Sequence, residues 1–191
     1  MAGALCGPGH SRCLRMPNVP IPADTDDMTQ QAQQRILEDP VSPSLLGVIS
    51  AVEVICGIGA SNRTEVLALL ANSLAKSARI PVDTVFTALM KREELGSTGV
   101  GRGIGLPHAW IPRCPKVVAA FGRLAKPIDW GAVDGTPVDV VFALVGPHEQ
   151  PSICLSALSI ASRLLRQPGM LERLRGCQDP ATVLASLKAK T

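Results

Sequence analysis

The chain has 191 residues, 46% of them hydrophobic and 18% charged, with a formal net charge of +3. That is enough for one well-cored domain, and it is too apolar for a chain that stays unfolded throughout. So small a charge, with scattered basic residues and only 3% aromatic content, excludes a nucleic-acid surface built on phosphate contacts and base stacking.

Residues 1–43 carry Pro8, Pro17, Pro20, Pro22, Pro40 and Pro43 among glycines and charges that nearly cancel. Such a segment buries too little apolar surface to offset its ordering entropy, so a disordered N-terminal tail is expected over 1–43. Residues 30–37 are its one stretch with helical character, Met16 and Met28 are alternative starts, and His10 is expected to be a plain surface residue. Early Pro8 leaves no continuous apolar core for a secretory leader.

Beyond the tail, helix and strand signals alternate. Residues 52–58 form a short apolar run ending in glycine, which reads as a strand. Asn62 with Glu65 three residues later marks a helix start, and Val66, Leu67, Leu70 and Leu74 make its apolar face. Pro81 opens a second helix with Val82, Val85, Phe86, Leu89 and Met90 on one side. A glycine-rich loop and an extended piece over 104–106 then lead to Pro107 and His108. Residues 117–124 and 138–145 read as strands separated by a turn at Asp134-Gly135, the second apolar enough to be buried on both faces. Pro151 begins a helix that runs to Leu165, where Pro168-Gly169 stops it, and a short helix covers 170–174. Asp179-Pro180 starts the last helix, with Val183, Leu184 and Leu187 inward. This alternation predicts a single layered α/β domain over residues 44–191.

No apolar run is long enough to insert in a membrane; the best, over 45–60, is interrupted by Glu53. Cys6, Cys13, Cys56, Cys114, Cys154 and Cys177 are widely spread with no C-x-x-C pair, and the histidines are equally dispersed. Zinc-ligand spacing is therefore absent, and no metal or cofactor is expected. The pattern fits reduced thiols in a cytoplasmic protein.

The chemistry concentrates between Arg92 and His108. Glycines 96, 99, 101, 103 and 105 permit positive φ and close approach of backbone to a ligand, and Ser97, Thr98 and loop amides are donors suited to an anion. The run lacks the Lys-Ser/Thr ending of a P-loop and the strand–helix context of a dinucleotide fingerprint, so a simple flexible turn is the competing reading. His108 follows Pro107, which denies it a helical approach, and it lies at an apparent strand end, where α/β proteins place ligand sites. A ring with one nitrogen held by an acceptor and the other unprotonated is a nucleophile for phosphorus, with Arg92, Ser97 and Thr98 to receive the phosphoryl oxygens. Hydrolytic chemistry is disfavoured: there is no G-x-S-x-G elbow, and nothing marks Cys114 as an activated thiol.

The run Leu95-Gly96-Ser97-Thr98-Gly99-Val100-Gly101, continuing through Gly103-Ile104 to Leu106-Pro107-His108, resembles the phosphorylation-site signature of IIA proteins of the phosphoenolpyruvate-dependent phosphotransferase system. The branch is the mannitol/fructose/nitrogen-regulatory one, and the nitrogen-regulatory kind is the most similar. Pro127-Ile128-Asp129-Trp130 and the block from Asp134-Gly135 through Leu144 are similar to the family's next motif, and the resemblance covers residues 45–187. It implies a central mixed β-sheet flanked by helices. It implies that His108 accepts a phosphoryl group from an HPr-like phosphocarrier, with Arg92, Ser97 and Thr98 stabilising it, and that phosphorylation controls partner proteins such as a kinase or a transporter. A sugar-specific IIA subunit passing phosphate to a IIB domain, and a phosphorylation-independent binding module of the same fold, are the alternatives. Three positions depart from the family pattern. Arg102 stands where asparagine is frequent, either adding a cation to the site or pointing to solvent. Cys154 occupies the place of a second active-site histidine, which leaves His148 as the imidazole to substitute for it. Trp110 replaces a small residue next to the site.

Overall fold

The computed structural model describes residues 45–188; the expected tail, with His10 and the helical stretch over 30–37, lies outside the described residues. In chain order the elements are α1 (Leu45–Val48), β1 (Ala51–Ile58), α2 (Arg63–Ala78), α3 (Val82–Glu94), β2 (Gly99–Gly101), β3 (Ile104–Gly105), β4 (His108–Ile111), β5 (Val118–Ile128), β6 (Val138–Pro147), α4 (Pro151–Leu165), α5 (Met170–Gly176) and α6 (Pro180–Lys188).

The helix starts follow their local chemistry. The Asn62 side chain accepts the Glu65 N–H at 3.0 Å while the Glu65 carboxylate accepts the Ser61 N–H at 2.7 Å, satisfying two amides that the first turn of α2 leaves open. Asp179 caps the start of α6 by accepting the Thr182 N–H at 2.9 Å. Pro151 occupies the first turn of α4, where a missing N–H costs nothing.

The six strands form one mixed sheet in the order β1-β5-β6-β3-β2, with β4 also paired to β6. β5 and β6 are an antiparallel hairpin, and β1 runs parallel to β5 on its outer side. On its other edge β6 carries β3 and then β4, both parallel to it and lying end to end. Leu106 and Pro107 bridge them, and the Pro107 carbonyl still accepts the Leu144 N–H at 2.9 Å. One edge of β6 is thus lined by a strand that is broken once, immediately before His108.

Side chains of β5 and β6 alternate between two cores. Val117, Ala119, Phe121, Val140, Phe142 and Leu144 face α4, α5 and α6. Val118, Ala120, Val141, Ala143 and Val145 face α2 and α3. β6 is buried on both faces, as its apolar run predicts; each fully buried large side chain stabilises the fold by about 1.5–3 kcal/mol. Two expectations needed adjustment. Val82 is 40% exposed, because α3 meets its neighbours only from Val85 onward. β5 runs on to Ile128 through the exposed residues Ala125, Lys126 and Pro127, with a register shift against β6 that the polar sequence there does not announce.

The glycine-rich run is a β-hairpin. Gly101 pairs with Ile104, leaving Arg102 and Gly103 as a two-residue turn with φ of 58° and 79°. Two consecutive left-handed residues are what a type I′ turn requires. The turn is tied down from both sides: Asp134 accepts the Arg102 N–H at 2.8 Å, and Arg175, paired with Asp139 at 2.7 Å, donates to the Arg102 carbonyl at 2.9 Å. Glycine suits position 103 because its φ of 79° is left-handed, and a Cβ there would also press on the Arg175–Asp139 pair, 2.5 and 2.7 Å away.

Candidate functional site

His108 begins β4. Ala109 and Ile111 turn into the core beneath α2 and α3, and His108 and Trp110, alternating with them, are half-buried. The His108 Nδ1 lies 2.9 Å from the Leu106 carbonyl. A carbonyl only accepts, so Nδ1 carries the proton and Nε2 is left with its lone pair. That lone pair accepts from Arg92 Nε at 3.1 Å. The guanidinium is itself steadied by donating from Nη1 to the Gly96 carbonyl at 3.1 Å. Burial pushes the imidazole below its ordinary pKa of 6.5. The Leu106 hydrogen bond acts in the opposite sense, the Arg92 charge depresses it further, and Glu93 partly offsets that. The result is a neutral ring with a defined tautomer, its reactive nitrogen aimed at a cation.

Ser97 and Thr98 are close in sequence to this pair, but their hydroxyls are engaged elsewhere. Ser97 Oγ donates to the Trp130 carbonyl at 2.9 Å and accepts the Gly99 N–H at 3.1 Å. Thr98 is buried; its hydroxyl donates to Glu93 and accepts the Trp130 Nε1–H at 3.3 Å. Both hydroxyls therefore hold the turn in shape. Arg102 resolves to the solvent reading: it is exposed, and its Nη1 lies 3.4 Å from the Arg166 carbonyl at the end of α4.

Two residues of this region, Glu93 and Arg63, escaped the sequence reading, and a third, Trp130, entered it only as part of a motif. Glu93 is buried and takes the Thr98 N–H at 3.0 Å, Arg63 lies 3.7 Å from the same oxygen, and Trp130 is fully buried beside them. A signal existed for Glu93: it falls on the stripe Val85, Leu89, Glu93, so an acid lies on the inward face of α3. Trp110 contacts the His108 ring at a centroid distance of 5.5 Å. It also lines an open groove of about 450 Å³ against the outer face of α3, with Asp83, Thr84, Thr87 and Lys91.

Cys154 does not take the place of a second imidazole. It is fully buried, its thiol 3.4 Å from the Pro147 carbonyl and packed where a Cβ on Gly146 would be 2.6 Å away. Burial pushes its pKa up to about 11, with Cys114 adding to the effect, so it is an inert thiol of the sheet–helix core. His148 is exposed, and its backbone N–H bonds the Ile111 carbonyl. Cys154→His is accordingly expected to lower stability by about 1–3 kcal/mol through overpacking. Thermal unfolding checks this; an unchanged Tm would mean the site has room for the ring.

Fold and site together define an α/β protein that presents a neutral, arginine-paired histidine where the edge of its sheet is interrupted. Residues 48–190 match the family described as phosphoenolpyruvate-dependent sugar phosphotransferase system, EIIA 2, and the chain belongs to that family. It is 40% identical over 103 residues to a nitrogen regulatory protein of Bradyrhizobium diazoefficiens, covering 54% of this chain and 67% of that one. It is 34% identical over 119 residues to the nitrogen regulatory protein of Escherichia coli strain K12, covering 62% and 73%. Its fold resembles the crystal structure of nitrogen regulatory protein IIA-Ntr from Neisseria meningitidis, with a TM-score of 0.65 and 27% identity over 72% of this chain and 92% of that one. Among the described residues no helix is long and apolar enough to cross a membrane.

Proposed function

We propose that this protein accepts a phosphoryl group on His108 Nε2 from the phosphohistidine of an HPr-like carrier, and that it acts as a regulatory component of nitrogen type in the cytoplasm. The observation that carries the reading is the state of the ring, with Nδ1–H spent on the Leu106 carbonyl and the Nε2 lone pair facing Arg92. In the transfer, the Nε2 lone pair forms the new N–P bond while the donor's N–P bond breaks and its electron pair returns to the donor ring. The His108 proton stays on Nδ1, where the Leu106 carbonyl stabilises the charge that develops on the ring. Arg92 leaves the lone pair and meets the phosphoryl oxygens, so the same group that holds the nucleophile neutral receives the charge that arrives. Ser97 and Thr98 contribute through the turn they fix between Arg92 and the hairpin. The docked carrier covers Trp110 and the adjoining face of α3.

Regulation by such a site is electrostatic. Phosphorylation places about −1.5 to −2 charges at one half-buried point, enough to change which partner protein docks there. The names of the two relatives above support the nitrogen-regulatory branch over a sugar-specific one.

The test is phosphoryl uptake. Incubated with phosphoenolpyruvate, enzyme I and an HPr-type carrier, the wild-type chain should gain one phosphoryl group by intact mass. The modification should map to the His108 peptide and be labile in acid and stable in base, as a phosphoramidate is. A folded chain that gains nothing would leave the phosphorylation-independent binding module as the reading.

A further inference from the structure

We propose that Glu93 is a positioning residue for the histidine, fixing the tautomer of His108 through a hydrogen-bonded chain that runs by way of Thr98 and Leu106. The proposal rests on His108 as the acceptor and deepens that reading.

The chain can be followed bond by bond. Glu93 accepts the Thr98 N–H at 3.0 Å and, through its other oxygen, the Thr98 hydroxyl. The Thr98 carbonyl accepts the Leu106 N–H at 2.9 Å, and the Leu106 carbonyl takes the His108 Nδ1–H at 2.9 Å. At both Thr98 and Leu106 the bonded N–H and C=O flank one Cα and belong to neighbouring peptide units, so the chain acts by position: fixing the amide on one side sets where the carbonyl on the other side points. Arg92 and Glu93 are consecutive at the end of α3, and between them they govern both ring nitrogens: Arg92 faces Nε2 directly, and Glu93 holds the partner of Nδ1.

Trp130 Nε1–H donates to the Thr98 hydroxyl, which gives its own proton to Glu93. The other oxygen accepts an amide and lies 3.7 Å from Arg63 Nη1. Both oxygens act as acceptors in a side chain only 4% exposed, with the Arg63 guanidinium beside it. An amide at this position presents a donor to one of these groups and leaves the set unsatisfied.

The experiment compares wild type with Glu93→Gln in the full chain. Long-range 1H–15N spectra of the unphosphorylated protein, taken where the ring is neutral, report the His108 tautomer. Wild type should show the Nδ1–H form alone, and Glu93→Gln a mixture of both. Phosphoryl transfer in Glu93→Gln should slow about ten- to hundredfold in kcat, with the carrier KM within about twofold, because the residue is displaced from the chemistry rather than from docking. A merely structural role moves Tm and leaves the tautomer of the folded chain alone. If Glu93→Gln does not fold, Thr98→Val against Thr98→Ser reads the same chain: valine should mix the tautomers and serine restore the single one. A single Nδ1–H tautomer in the folded Glu93→Gln or Thr98→Val chain, or a loss confined to carrier KM, overturns the proposal. Wild-type chain that takes up no phosphoryl group defeats the acceptor reading separately, since the tautomer comparison needs no phosphorylation.

Discussion

His108→Ala is expected to abolish phosphoryl uptake while leaving the chain folded. In the carrier assay the wild type should gain one phosphoryl group and the variant none, with no slower residual reaction. The loss is total because the ring supplies the bond-forming nitrogen; the phosphoryl group then has no acceptor at the site. The fold should survive because the ring is half-buried and makes one hydrogen bond to a main-chain carbonyl, worth about 0.5–1.5 kcal/mol. β4 keeps its pairing with β6 through backbone groups, and Ala109 and Ile111 keep their places in the core. His148→Ala should behave as wild type, since that residue is exposed in the loop before α4. Uptake at wild-type level by His108→Ala would move the acceptor elsewhere, and His148 would be the next residue to replace.

What the sequence disclosed and what it withheld divide along physical lines. Helix starts were legible because their chemistry is local: Asn62 with Glu65, and Asp179, satisfy nearby amides, and Pro151 has no N–H to satisfy in the first turn. β6 was legible because burial on both faces leaves an uninterrupted apolar run. β4 was not: four residues with one tryptophan carry no period, and they are a strand only because β6 offers them an edge. The glycine run was read correctly as permissive backbone, yet its hairpin depends on Arg102 taking φ of 58°, which Asp134 and Arg175 enforce from 32 and 73 residues away. Cys154 lies with Ala157, Ala161 and Leu164 on the buried side of α4, a stripe already present in the sequence that the motif comparison alone does not use. The distance in sequence between Thr98 and Trp130 likewise hid the network that occupies both hydroxyls of the turn.

Arg92→Met is expected to slow phosphoryl transfer by about 10²–10³ in kcat, the range seen when one donor to developing charge is removed from a preorganised site. Methionine keeps much of the aliphatic bulk, so the effect isolates the guanidinium. The pH profile carries a second, independent signature. The neutral ring is the nucleophile, so the rate falls on the acid side at the pKa of His108, which burial first and Arg92 in addition hold below 6.5. Removing the positive charge makes the imidazolium easier to form. The acid limb must therefore move to higher pH, and the deficit of Arg92→Met relative to wild type must widen as pH falls. Arg92→Lys separates the two roles: it returns a positive charge, and so returns the acid limb toward wild type, but a point charge without the planar fork cannot hold Gly96 and meet the phosphoryl oxygens together. Its rate at neutral pH should stay well below wild type. Equal rates for Arg92→Lys and wild type would show that only the charge matters; an acid limb that does not move in Arg92→Met would show that burial alone sets the state of the ring.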